Sequence, residues 1–162
     1  MAGGGYAFAS RDGTDLETLQ NFGMVRLAFD FQAKYPVFAS IDLNTFRIQR
    51  KQGRLDDHHF GEGAGVSIGM RTKSYSFWTQ AAMGRLRVLE KPESAEVDKG
   101  RRHPYRSYAF AASYPVFKRD YGSIDLQLIE KIVTPERTWK RNYDYSDVRM
   151  TSIVLAFTLA DL

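Results

Sequence analysis

Asp56-Asp57-His58-His59 is the one compact stretch of this chain in which an acid, a base and a potential metal ligand stand together. A histidine there, His58 or His59, could act as a general base with Asp57 orienting it. It would need a nucleophile such as Ser67, Ser74 or Ser94 brought in by folding. Neighbouring residues on an extended segment point apart, so a metal centre would need ligands from elsewhere in the chain. The expectation is a solvated loop, with catalysis and a metal site as the alternatives. A second group has different chemistry. Arg101, Arg102, His103 and Arg106, with Trp139, Lys140 and Arg141, place cations beside aromatics, a combination suited to lipid phosphates at headgroup level. Glu93, Glu96, Asp98, Asp144 and Asp147 are close enough in sequence to balance those charges. Gly61-Glu62-Gly63-Ala64-Gly65 reads as a segment entering a strand, because no helix follows to make a phosphate loop of it. Haem, nucleotide and iron–sulfur signatures are lacking, so no cofactor and no metal are expected.

What positions these residues is a regular succession of breaks. Long polar segments, Arg11–Phe22, Lys51–Glu62, Lys91–Pro104 and Pro135–Asp147, alternate with short ones near Lys34–Pro36, Arg71–Ser74 and Lys118–Gly122. Between them period-two alternation predicts strands at Gly5–Ser10, Gly23–Ala33, Val37–Arg50, Gly63–Arg71, Tyr75–Glu90, Arg106–Phe117, Ser123–Val133 and Val148–Leu162. Helical periodicity is weak throughout, with at most one turn at Asp15–Asn21. The expected class is all-β, an eight-stranded antiparallel up-and-down barrel over residues 1–162. Long loops would lie on one rim and short turns on the other.

Val25, Leu27, Phe29 and Phe31 on the second strand oppose Arg26, Ala28, Asp30 and Gln32. The same division recurs along the chain. An eight-stranded barrel is only wide enough to be filled by side chains. The charged set Arg26, Asp30, Asp42, Arg85, Arg87, Asp125 and Glu130 is therefore expected to pair inside a plugged lumen, with the Val, Leu, Ile, Phe and Tyr faces toward lipid. Phe46 and Ile48 break the alternation of the third strand, which suggests a bulge. Tyr35-Pro36-Val37-Phe38 followed by Ser40-Ile41-Asp42-Leu43 matches Tyr114-Pro115-Val116-Phe117 followed by Ser123-Ile124-Asp125-Leu126, about half a chain later. A duplicated four-stranded unit would leave this trace, with each proline at a tight turn.

Composition narrows the field further. With 162 residues a single domain suffices, and with no cysteine no disulfide or thiolate site supports it. The net charge of +4 is dispersed among acids, so nucleic acid is not an expected partner. No apolar run is long enough for a spanning helix, which leaves strand-built spans open. Nine Tyr and eleven Phe suit either an aromatic girdle or ordinary strand preference. Met1-Ala2-Gly3-Gly4-Gly5 carries neither the charged nor the apolar part of an export signal. That is expected of a chain freed of its signal or of one never exported.

The long-short order of connections and the opening Gly4-Gly5-Tyr6-Ala7-Phe8 resemble the small eight-stranded outer-membrane proteins of Gram-negative bacteria. The ending Ala160-Asp161-Leu162 departs from the terminal Phe or Trp usual in that group. The resemblance implies an outer-membrane location, extracellular long loops and periplasmic turns. It also implies membrane lipids, lipopolysaccharide among them, or a protein docked through the loops, as partners. It implies no single activity. The favoured expectation is a non-enzymatic barrel working through its loops. The alternatives are a barrel enzyme acting on lipid A or phospholipid, a soluble lipocalin-like carrier, periplasmic or cytoplasmic, and a β-rich subunit of a larger assembly.

Overall fold

A computed structural model describes residues 2–10, 19–31, 36–52, 55–72, 74–90, 102–136 and 147–159. Side chains are described within 24–28, 36–47, 60–72, 74–87, 102–136 and 147–159. Eight strands follow one another: β1 (Ala2–Ser10), β2 (Leu19–Phe31), β3 (Val37–Gln52), β4 (Leu55–Arg71), β5 (Ser76–Glu90), β6 (Arg102–Arg119), β7 (Gly122–Pro135) and β8 (Val148–Leu159). Each pairs antiparallel with its sequence neighbours, and β1 closes on β8, so the sheet is a closed barrel in the order β1 to β8. Closure matters in lipid. No water is available there to satisfy an open edge, and a barrel leaves none.

The alternation seen in the sequence becomes the two faces of the wall. Val25, Leu27, Ile41, Leu43, Val66, Ile68, Tyr108, Phe110, Leu128, Ile153 and Leu155 are exposed, Leu27 at 60% and Phe110 at 70%. Met24, Arg26, Asp42, Asn44, Ser67, Gln80, Ala109, Ile129, Val154 and Ala156 are buried in the lumen. Near the short-turn rim the outer face carries Phe117 and also Tyr75, Tyr114 and Tyr121, whose amphipathic rings favour a membrane–water boundary. An apolar wall of this extent is unsuited to water. Protein folded in detergent is therefore expected to run faster on SDS gels unboiled than boiled. Protein diluted into plain buffer should show no such shift, and a compact monomer in plain buffer would contradict the membrane reading.

The short connections are built locally. Between β4 and β5, Thr72 Oγ1 donates to the Tyr75 carbonyl at 2.9 Å and accepts from the amides of Ser74 and Tyr75. This side-chain mimic of a turn frees the backbone from a longer loop. Between β6 and β7 the turn is Asp120-Tyr121, with Arg119 paired to Gly122. Gly122 has φ +157°, and a Cβ there would sit 2.4 Å from the Thr158 carbonyl oxygen.

Three expectations about elements are corrected. The segment Lys51–Glu62 is not a long loop. β3 runs to Gln52 and β4 starts at Leu55, with pairing kept to Gln52↔Leu55, so these strands form a hairpin extending along the long-loop rim. Phe46 lies on the same buried face as Phe38, Ser40, Asp42 and Asn44, and the β3 pairings run without a register shift. The register shifts lie elsewhere, at Pro115/Phe117 between β6 and β7 and at His58/His59 between β4 and β5. Pro115 therefore lies inside a strand rather than at its turn, where the irregularity absorbs its missing N–H. The two Tyr-Pro-Val-Phe copies thus occupy different places, one leading into β3 and one near the end of β6.

Candidate functional site

Inside the barrel a group of polar residues gathers nearer the short-turn rim than the long-loop rim. Arg26 Nε and Nη2 donate to the two Asp42 oxygens at 2.5 and 3.0 Å. Asp42 also accepts from Gln80 Nε2 at 2.6 Å, from Ser40 Oγ at 3.1 Å, and from Ser67 Oγ. The Arg26 guanidinium lies 3.9 Å from the centroid of the Trp78 ring. One carboxylate thus collects donors from β2, β3, β4 and β5, which ties those strands together through the lumen. Toward the long-loop rim, Lys131 Nζ donates to Asn44 Oδ1 at 2.9 Å and lies 4.8 Å from the centre of the Phe46 ring. Phe46 meets Tyr105 edge to face, with centroids 5.4 Å apart. Space for these rings comes from glycine. A Cβ on Gly61 would enter the Phe46 ring, and one on Gly63 would lie 2.3 Å from the Tyr105 hydroxyl.

The repeated Ser-Ile-Asp-Leu has a physical meaning here. Ser40 Oγ donates to Asp42 Oδ1, and four strands on Ser123 Oγ donates to Asp125 Oδ1 at 2.7 Å. Asp125 further accepts from Thr158 Oγ1 at 2.7 Å, near the short-turn rim. Both copies place a serine and an aspartate two residues apart, so both side chains fall on one face of a strand.

The outer wall of β5 and β6 carries charge beyond the apolar band. Arg85, Arg87, Arg102 and Arg106 are all exposed. Arg87 pairs directly with Arg102, and Arg106 stands opposite Met83, itself 70% exposed. Like charges facing each other across strands repel, which favours an anion between them. Glu62 lies opposite Arg85, and Glu136 donates its amide to the Pro104 carbonyl. Among the described residues, no carboxylate forms a salt bridge with any of the four arginines.

These placements revise the sequence reading of charge. Arg26 and Asp42 are in the lumen, and Asp125 is half-buried. Arg85 and Arg87 are on the outer wall instead, because β5 turns Trp78, Gln80, Ala82 and Leu86 inward. Glu130 is outside as well, since it shares parity with Leu126 and Leu128 while Ile129 and Lys131 point in. Asp30 pairs with Phe38 in the β2–β3 ladder, and its side chain lies outside the described residues.

His103 is buried on β6 rather than held in a loop, whereas Arg102 and Arg106 point outward. Asp57, His58 and His59 lie on β4, paired with Arg50, Gln49 and Ile48, with a register shift toward β5 between the two histidines. Their side chains, and Arg101, Trp139, Lys140 and Arg141 entirely, lie outside the described residues. Among the described residues no group of three or more His, Asp or Glu side chains could hold a metal ion. The outward arginine pair on β5 was missed by sequence reasoning. Its signal was parity, since Arg85 and Arg87 continue the series Phe77, Thr79, Ala81, Met83.

No family model matches the chain, and no curated protein matches it in sequence. Among solved structures it is similar to the crystal structure of Ail, the attachment invasion locus protein of Yersinia pestis, in complex with the heparin analogue sucrose octasulfate. The identity is 13% and the TM-score 0.56, over 98% of this chain and 95% of that one. It is also similar to the backbone structure of the Yersinia pestis outer membrane protein Ail in a phospholipid bilayer nanodisc. There the identity is 10% and the TM-score 0.44, over 95% and 96% of the two chains. At 13% identity the likeness to the first is one of fold, end to end. The chain has the fold of the small outer-membrane β-barrels, as its strand order and outward apolar face independently require.

Proposed function

We propose that this chain is a non-enzymatic outer-membrane barrel whose long-connection rim faces outward and holds phosphorylated glycolipid of the lipopolysaccharide type. The observation that carries this reading is the exposed set Arg85, Arg87, Arg102 and Arg106, on two paired strands just beyond the apolar band. Arginine offers paired donors to phosphate oxygens, and four such groups stepped down one face of two paired strands, from the Arg87–Arg102 pair to Arg106 opposite Met83, match a headgroup bearing several phosphates. The sulfated sugar held by Ail is likewise a dense array of tetrahedral anions, in a protein of the same fold. The lumen is plugged in this reading, because Arg26, Phe38, Phe46, Ile129 and Lys131 are all fully buried within it. Planar-bilayer recordings are then expected to show no porin-like conductance.

The decisive comparison is retention of lipopolysaccharide. Wild type and the variant R85Q/R87Q/R102Q/R106Q would be folded in detergent, mixed with lipopolysaccharide and re-isolated by size exclusion. Each arginine near an anionic surface contributes about 1 kcal/mol, so retention by the variant should fall at least about tenfold. Added salt should narrow the difference. Equal retention by the two proteins would overturn the proposal.

A further inference from the structure

Below the arginines the outer wall is not smooth. On β6 the outward residues run Tyr108, Phe110, Ala112, Tyr114, so one small side chain stands between aromatics. Ala112 is paired with Phe77 on β5 and with Leu128 on β7, and Thr79 stands opposite Phe110. The result is a groove of about 490 Å³ walled by Met70, Phe77, Phe110 and Leu128 over Thr79 and Ala112. Through Phe77, Ala112 and Leu128 it continues into a second hollow of about 360 Å³ that reaches Tyr75 and Tyr114. The whole runs down the wall from Phe110 and Glu130, two outward positions below Arg106 on β6, toward the short-turn rim.

Glu130 lines this groove. It is an exposed carboxyl on an otherwise lipid-facing row, set between Leu128 and Ile132 and across from Phe110. Thr151 Oγ1 donates to its Oε2 at 2.6 Å, and this is its one hydrogen bond among the described residues. An acidic group at this depth is costly against hydrocarbon and is retained where something satisfies it. Thr151 serves one oxygen, so the other is left to whatever occupies the groove. Plain fatty-acyl chains carry no hydrogen-bond donor. Hydroxyacyl or amide-linked chains carry an O–H or N–H close below the headgroup.

We infer that the groove selects an outer-leaflet glycolipid with hydroxyacyl or amide-linked chains, one donor meeting Glu130 while a chain lies along Ala112. This deepens the glycolipid reading above and rests on it. The order down the wall matches such a lipid. Arg106 takes the phosphate level, Glu130 the hydroxyl or amide, and the Phe77–Phe110–Leu128 hollow takes the hydrocarbon.

Native mass spectrometry of the full chain released from detergent tests this. The two competing probes are lipid A, with hydroxyacyl amide chains, and cardiolipin, with two phosphates and plain chains. Wild type is expected to retain lipid A over cardiolipin by about tenfold, the worth of one charge-assisted hydrogen bond. Glu130→Leu should abolish that preference while keeping cardiolipin, since the arginines remain. Ala112→Phe, which fills the groove, should reduce retention of both lipids. Unboiled gel mobility confirms that each variant is folded. An undiminished preference in Glu130→Leu would overturn the inference. So would a two-barrel species lost in that variant, which would make a second copy the occupant. Failure of the underlying reading looks different, with neither lipid retained by wild type.

Discussion

Asp42→Ala is expected to destabilise the barrel by about 3–5 kcal/mol, because it strands a buried guanidinium. Asp42 is fully buried and accepts from Arg26, Ser40, Ser67 and Gln80. Removing it takes from the buried Arg26 the carboxylate that it meets through both Nε and Nη2. A urea titration in detergent micelles, followed by unboiled gel mobility, gives the size of the loss. Asp42→Asn keeps an acceptor in place and should lose less. Replacing the pair together, as R26M/D42L, removes the charge and its counter-charge and should recover most of the stability. A midpoint for Asp42→Ala equal to that of wild type would mean the network contributes nothing. A double replacement as unstable as the single one would mean that packing, rather than the stranded charge, sets the cost.

Gly63→Ala should destabilise the barrel by about 1–3 kcal/mol for a single methyl group. The added Cβ would lie 2.3 Å from the Tyr105 hydroxyl and 2.7 Å from the Met83 carbonyl oxygen. The ring can move, whereas the carbonyl belongs to the β4–β5 ladder. Gly63 pairs with Gly84, where a Cβ would meet the Glu62 carbonyl at 2.0 Å, so Tyr105 packs over two facing glycines. Tyr105→Ala alone should also destabilise, by opening a cavity beneath the Phe46 ring. The two changes share a contact and should not add. The double variant is expected to cost at least about 1 kcal/mol less than the sum, measured by the same titration. Strict additivity would show that the backbone clash, and not the ring, limits this site.

Much of the barrel was legible because its outer face obeys one rule along its whole height. Leu27, Ile41, Val66, Phe110 and Leu155 are all exposed on one apolar outer face, so period-two alternation persists and places the strands. The lumen obeys no single rule. It is polar around Asp42 and apolar around Phe46, Leu86, Val133 and Met150. Phe46 therefore broke an expected pattern without breaking the strand. Charge was a poor guide to side for a related reason. Arg85, Arg87 and Glu130 were assigned inward for being charged, although their parity with Met83 and Leu128 puts them outward. The β3–β4 hairpin was hidden from the sequence because strands extending beyond the apolar band need no apolar face. The polar run Lys51–Glu62 therefore read as loop. The juxtaposition of Arg87 with Arg102 and the groove depend on which strands are neighbours and at what register, and only the pairings supply that.

Joining the first strand to the last has a kinetic consequence. Ala2 pairs with Phe157 and Ser10 with Arg149, so the seam joins segments separated by nearly the whole chain. The entropy of closing that loop is met before the seam returns any stability, which places this barrel among slow-folding topologies. Until β8 is in place, β1 and β7 each present a bare row of amides and carbonyls, the kind of edge that recruits other chains. A growing chain of this design is safest when escorted to the bilayer, and its yield on refolding should fall with protein concentration well before its native state loses stability.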